Sequence, residues 1–367
     1  MKVLSVVGAR PQFVKAFPVS RALRARGEEV LVHTGQHYDE ELSDVFFTEL
    51  GIPEPDYHLG VGSGSHATQT ARVMERLDPV VVDEDPDALL VYGDTNSTVA
   101  AGLVGAKRDT AVVHVEAGLR SFDREMPEEV NRVVTDHVAD LLLSPTEKGA
   151  ENLAREGLAD RTVVTGDVMY DALLWARDRV GDATTVLADN DLTPGEYVLA
   201  TVHRAKNTDD PARLSAILDG LAGVSDPVVV PVHPRTETAL REHDLWDRAC
   251  DELRVIDPVG YLPFVRLLDG ARRIATDSGG VQKEAFFLDT PCVTLREETE
   301  WVETVEAGWN ELVGADADAI TTALTRDWPL GEKPHPYGDG DAASVVAEAI
   351  DAYLQDGATP PTDDASR

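Results

Sequence analysis

The chain has 367 residues, 67 of them acidic against 33 basic, for a formal net charge of −34 at neutral pH. An excess of that size excludes a nucleic-acid partner, since no basic stripe survives it, and the length suits two domains with separate cores better than one open sheet. The acids are spread along the whole chain. They repel one another at ordinary ionic strength but are screened at about 1 M salt, where the Debye length falls to about 3 Å. The surface therefore reads as a halophile's, with an acidic patch for a cationic partner as the competing reading.

The two cysteines, Cys250 and Cys292, have no metal-type spacing, which points to a reduced, cytoplasmic protein. The opening MKVLSVVGAR is too short an apolar run for a signal peptide, and no segment reaches membrane-spanning length, so no membrane partner is expected.

Short β-branched runs alternate with stretches of helical period almost throughout. That pattern predicts an α/β fold of two Rossmann-like, doubly wound parallel-sheet domains. Strands are expected at 2–7, 29–34, 88–92, 111–116, 140–144 and 162–165 in a first domain over 1–170. A second domain over 171–340 has strands at 196–202, 227–232, 253–256, 272–276 and 291–295. The boundary lies near 168–194, where a helical stretch runs into the polar GDATTVLADNDLTPG. A C-terminal helix over 341–356 follows, and the Pro-rich acidic tail 357–367 is expected to be disordered.

Ligands in open α/β sheets bind beyond the carboxyl ends of the strands, so the residues after each strand are the candidates. After the first comes GARPQFVKA (8–16): Gly8 permits a tight turn, and Arg10 and Lys15 stand near free N–H groups at a helix N-terminus, an anion site or simply a turn with surface cations. It lacks the dinucleotide and Walker fingerprints, which disfavours bound NAD. GVGSGS (60–65) follows no strand of a βαβ unit and reads as a loop. In YGDTNST (92–98), Asp94 ends a strand and Thr95 or Asn96 caps the next helix. In VHVEAGLRSFDREMPEEVNR (113–132), period two puts Val112, His114 and Glu116 on one face. Pro127 then starts a helix whose dipole favours Glu128 and Glu129 in its first turn. The dipole explains one of these glutamates but not the convergence of Asp94, Glu116 and Glu128 on one sheet edge.

The second half supplies TVHR (201–204) with His203 and Arg204, and PVHPR (231–235) with His233, both beyond strand ends. In TDSGGVQKEA (276–285), Ser278, Gly279 and Gly280 form a turn able to cradle phosphate, and Glu284 lies one turn on, spaced for two ribose hydroxyls. In GYLPF (260–264), Tyr261 and Phe264 suit either base stacking or core packing. A metal site built from the same acids and His114 lacks a ligand spacing to support it.

Together with HTGQHYDE (33–40) and ETEWVETVEAGWN (298–310), these motifs resemble, in register over nearly the whole chain, the non-hydrolysing UDP-N-acetylglucosamine 2-epimerases. The resemblance implies a GT-B-like fold with an inter-domain cleft, a C-terminal helix crossing back to the first domain, a homodimer, and no cofactor. It implies that UDP is held by Ser278, Gly279, Gly280, Glu284 and the surroundings of Phe264, with Arg10 on the diphosphate. It assigns Asp94, Glu116, Glu128 and His203 to catalysis. Epimerisation at C2 by elimination of UDP and its return needs acids near C2 and cations and N–H donors for departing UDP, and crowded acids should titrate toward neutrality.

The chain departs from the family pattern in TEWVE (299–303), where Trp301 replaces a substrate-contacting arginine, and after Gln36 and His37, where a second, activating UDP-N-acetylglucosamine binds in relatives. The TEWVE branch resembles epimerases of UDP-2,3-diacetamido-2,3-dideoxy-glucuronate, which keeps that substrate as an alternative. A GT-B glycosyltransferase, for which three acids are surplus, and a non-catalytic sugar-nucleotide sensor are the other readings.

Overall fold

The computed structural model describes residues 1–36, 54–180, 184–328 and 331–356. His37, the start of the expected linker at 181–183 and the tail 357–367 lie outside the described residues. Two compact units emerge: Met1–Leu174 together with the chain from His335 onward, and Trp175–Pro334.

The first unit holds a seven-stranded sheet. Its strands are β1 (Lys2–Val7), β2 (Glu28–His33), β3 (Tyr57–His58), β4 (Ala88–Tyr92), β5 (Ala111–Val115), β6 (Leu141–Ser144) and β7 (Thr162–Val164). They run parallel in the order β3-β2-β1-β4-β5-β6-β7. Leu4, Val6, Leu89 and Val91 face a helix layer that contributes Val73, Leu77, Ala100 and Val104. Burial on both faces explains why these strands are near-continuous β-branched and leucine runs rather than alternating ones. The helix Ala342–Asp356 belongs to this unit and packs on the helix Arg10–Arg24.

The second unit repeats the arrangement with β8 (Val198–Thr201), β9 (Val228–Pro231), β10 (Arg254–Ile256), β11 (Arg273–Thr276), β12 (Cys292–Thr294) and β13 (Asn310–Leu312). The order is β10-β9-β8-β11-β12-β13, again parallel. One face packs Val198, Ala200 and Val293 against Leu214, Ile217 and Ile320, and the other packs Leu199, Val229 and Ile274 against Leu267 and Leu268. In each sheet the chain reverses direction of growth beside its first strand, between β1 and β4 and between β8 and β11. A crevice opens there at the carboxyl ends.

The strand set agrees with the sequence expectation except that it adds β3 and β13. Expected alternation also fails at one place that matters. β5 ends at Val115, and Glu116 takes φ +71°, a left-handed backbone uncommon for a non-glycine residue, so it does not continue the face of Val112 and His114. Two residues on, Gly118 has φ +84°, and a Cβ there would lie 2.4 Å from the carbonyl oxygen of Gly149. Only glycine fits.

Gly118→Ala combines strain with a backbone clash and should cost more than about 1 kcal/mol. Urea denaturation at fixed salt will read it as a lower midpoint without a change of slope.

Candidate active site

The crevice of the first unit is built from the turns that follow β1, β4 and β5. Gln12, buried in the first turn of its helix, locks them together. Its Oε1 accepts from the N–H groups of Gly8 (2.8 Å) and Ala9 (3.1 Å), and its Nε2 donates to the Tyr92 carbonyl (2.7 Å) and to Thr98 Oγ1 (3.0 Å). Gln12 thus engages the N–H groups of Gly8 and Ala9 just ahead of the helix, which leaves fewer donors in GARPQFVKA for an anion. Arg10 opens the helix, but its side chain lies outside the described residues.

Lys15, one turn further, forms an ion pair with Glu116. Burial works against its ammonium, yet Glu116 and Asp94 outweigh burial and the lysine pKa is raised. A Cβ on Gly93, φ +62°, would lie 3.1 Å from Glu116 Oε2 and 3.2 Å from Lys15 Nζ, so the β4 turn presses on this pair. Asp94 follows, paired with Arg132, whose other nitrogen lies 3.1 Å from Glu129. Thr95 caps the helix Asn96–Arg108 with its side chain. The two sequence-predicted acids Asp94 and Glu116 thus share one edge of the sheet, each with its own cation. The crowding of acid on acid expected from the sequence is replaced by alternating charge.

Glu128 is half-buried in the first turn of the helix Pro127–Val138 and makes no hydrogen bond to another described residue. Its neighbour Glu129 is the buried one and accepts from the N–H groups of Ser121 (2.9 Å) and Phe122 (3.0 Å). The sequence reading missed Arg132 and placed Glu129 only as a first-turn residue favoured by the helix dipole. Their three-residue spacing on a helix was the available signal.

In the second unit, Ser278 caps the helix Gly279–Phe287. The N–H groups of Gly279 and Gly280 in its first turn have no hydrogen-bond partner among the described residues. Such a turn is a ready anion cradle. Trp301 comes close: a Cβ on Gly279 would lie 3.3 Å from its indole nitrogen and 3.9 Å from Arg204 Nη2. The Lys283 ammonium sits 4.1 Å from the centre of the Trp301 ring. Glu284 is buried, and its carboxylate accepts no hydrogen bond from another described residue. Burial pushes its pKa up to about 7, with Lys283 pulling the other way. Tyr261 is buried near Glu284, which makes it a core ring. Phe264 is half-buried beside Leu267 and Val281.

Asp277, which the sequence reading did not single out, organises the opposite wall of this crevice. Fully buried, it accepts from the N–H groups of His203 (3.1 Å) and Arg204 (3.0 Å) and from Asn207 Nδ2 (3.1 Å). His203 Nδ1 is 3.4 Å from it, and the His203 and His233 rings lie 5.9 Å apart. Burial lowers the His203 pKa, against the pull of Asp277. Nδ1 of His233 accepts from the Arg235 N–H at 3.1 Å, which caps the helix Pro234–Glu242. Arg204 follows β8 and Ser278, Gly279 and Gly280 follow β11, neighbouring strands of this sheet, whereas His233 follows β9 and Phe264 lies on the helix Tyr261–Gly270.

A sequence model of the family described as UDP-N-acetylglucosamine 2-epimerase matches residues 21–351. The chain belongs to the UDP-N-acetylglucosamine 2-epimerase family. It is 46% identical over 354 residues to the UDP-N-acetylglucosamine 2-epimerase homolog of Methanococcus maripaludis, covering 95% of this chain and 99% of that one. It is equally 46% identical over 362 residues to the UDP-2,3-diacetamido-2,3-dideoxy-D-glucuronate 2-epimerase of Pseudomonas aeruginosa, with 95% and 99% covered. The crystal structure of the Methanocaldococcus jannaschii UDP-GlcNAc 2-epimerase in complex with UDP-GlcNAc and UDP is similar at a TM-score of 0.83 and 39% identity, over 96% of this chain and 100% of that one. Among members of this 2-epimerase family, the two Rossmann-like units place this chain with a GT-B-like fold.

Glu284 makes the cradle pH-sensitive. A ligand that hydrogen-bonds to the ionised carboxylate displaces its proton and should bind more tightly as pH rises through about 7. Calorimetry with UDP between pH 6 and 8 will read this. Glu284→Gln should weaken binding and leave only the slope contributed by UDP's own phosphate.

Proposed function

We propose that the chain catalyses reversible C2 epimerisation of UDP-N-acetylglucosamine to UDP-N-acetylmannosamine, serving the synthesis of surface glycans. The observation that carries this reading is the division of labour between two sites. The first unit offers Asp94 and Glu116 on one sheet edge, each oriented by a cation. The second offers N–H groups at Gly279 and Gly280 and a buried Glu284 carboxylate that find no partner among the described residues. One UDP-sugar draws its nucleotide contacts from Ser278, Gly279, Gly280, Glu284 and Phe264. Its C2 chemistry comes from Asp94, Glu116 and Glu128, and Arg10, Arg204 and His203 serve the diphosphate.

The hydrogen on C2 is weakly acidic, so direct abstraction is slow. Removing it while the C1–O bond breaks forms the C1=C2 double bond of a neutral 2-acetamidoglucal and releases UDP as the leaving group. Return of UDP to C1 with delivery of a proton to the other face of C2 gives the manno sugar. Proton transfer to and from carbon calls for carboxylates held within reach of C2, and departing UDP calls for fixed N–H donors and cations. A glycosyl transfer to an acceptor would leave the second acid without work.

A second reading has its own support: the relative from Pseudomonas aeruginosa is as similar as the one from Methanococcus maripaludis, and Trp301 stands in the nucleotide crevice where the chain departs from the pattern of bacterial UDP-N-acetylglucosamine epimerases. Epimerisation of UDP-2,3-diacetamido-2,3-dideoxy-glucuronate uses the same elimination. On the family resemblance, the protein works in the cytoplasm as a homodimer without a bound cofactor.

The test is NMR in deuterated buffer with each sugar nucleotide alone. C2 inversion with deuterium at C2 and no acceptor is the expected result, and the sugar that reacts faster is the substrate. Turnover only after an acceptor is added would overturn the reading in favour of a transferase. Asp94→Asn and Glu116→Gln should each lower kcat by about 100-fold or more while UDP binding is retained.

The net charge of −34 supports adaptation to high salt. Raising KCl from about 0.1 M to about 1 M shortens the Debye length from about 10 Å to about 3 Å. The melting temperature and activity should both rise over that range, and a salt-independent melting temperature would contradict the adaptation.

A further inference from the structure

His114 lies on β5, wholly buried, with both ring nitrogens engaged. Nε2 is 2.7 Å from the carbonyl oxygen of Gly93, and Nδ1 is 2.7 Å from Oδ1 of Asp136. A carbonyl oxygen only accepts, and so does an ionised carboxylate. Asp136 is equally buried. Burial alone would raise its pKa, but His114 and Arg120 bring it below the usual carboxylate range. Its second oxygen takes the Arg120 guanidinium at 2.7 Å and the Gly118 N–H at 3.2 Å, which leaves the proton on this edge with the imidazole. Arg120 is in turn held by Glu156 through two hydrogen bonds of 2.8 and 2.7 Å. A neutral imidazole has a single N–H and cannot serve Gly93 and Asp136 together.

We propose that His114 is a buried imidazolium and a positioning residue for the epimerisation, one that fixes the two turns bearing Asp94 and Glu116 without touching the sugar. The proposal rests on the reading of those acids as the reacting groups. The Gly93 carbonyl belongs to the peptide that leads into Asp94, and the Gly93 N–H is bonded at 3.0 Å to the Val115 carbonyl. The His114 N–H therefore completes the anchoring of the β4 turn. Through Asp136 the same ring reaches the Gly118 N–H and holds the turn that follows Glu116. One chain of alternating charge, His114, Asp136, Arg120 and Glu156, lies beneath both turns. On the other side of Gly93 stand Lys15 and Glu116, already paired with each other. Among the described residues His114 is thus enclosed by groups that are themselves partnered.

Two measurements on the full chain at molar salt test this. In wild-type protein labelled with ¹⁵N-histidine, long-range proton–nitrogen spectra should give His114, identified by its loss in His114→Gln, two protonated nitrogens at pH 7.5. A pattern of one bare and one protonated nitrogen at pH 7.5 would overturn the charge assignment. This arm does not depend on the roles of Asp94 and Glu116. In the second, His114→Gln, which keeps one donor, and Asp136→Asn should lower kcat by about 100-fold, with the UDP dissociation constant by calorimetry unchanged. Unchanged kcat in a folded variant would overturn the positioning role. So would losses of kcat and UDP binding in parallel with a lowered melting temperature, which mark a purely structural group. If the spectra hold while Asp94→Asn and Glu116→Gln stay active, the functional reading has failed and the charged His114 has not.

Discussion

Lys15 and Glu116 pair almost out of water, at 14% and 10% exposure, where β1's helix meets the turn after β5. Removing one partner of such a pair leaves an uncompensated charge, at a cost of about 3–5 kcal/mol. That constraint explains the local backbone. Glu116 accepts a left-handed conformation because Lys15 lies in front of it, and Gly93 must be glycine because a side chain would enter the pair. Arg132 repeats the device for Asp94. The acids are held as members of a charge lattice, which fixes their direction more tightly than a loop could.

The second unit solves a different problem. Among the described residues its Ser278 turn leaves donors and its Glu284 an acceptor without partners, which is unfavourable for buried polar groups. The proposed function accounts for such frustration: in that reading the donors would meet phosphate oxygens and the acceptor ribose hydroxyls. Asp277, by contrast, is fully satisfied and serves to fix the His203 and Arg204 backbone.

Strand positions were legible because most are short apolar runs between turn signals, and YGDTNST announced its cap. The two-residue β3 carries no period to read. The period-two rule placed Glu116 beside His114 because nothing in a single sequence announces a positive φ at a glutamate. The helix dipole favoured Glu128 and Glu129 alike, and only the fold separates the buried Glu129, tied to Ser121 and Phe122, from the half-buried Glu128. In GARPQFVKA the N–H groups of Gly8 and Ala9 are engaged by Gln12, a side chain that was visible in the motif but whose reach across the sheet was not.

The central claim is that UDP leaves the sugar and returns. The direct measurement follows UDP-N-acetylglucosamine carrying ¹⁸O in the bond between C1 and the β-phosphate. Departure frees that oxygen to exchange places with the other β-phosphate oxygens before UDP returns. The account predicts that label appears in nonbridging positions of recovered substrate as the manno epimer accumulates. Epimerisation with the label wholly retained in the bridge would contradict it.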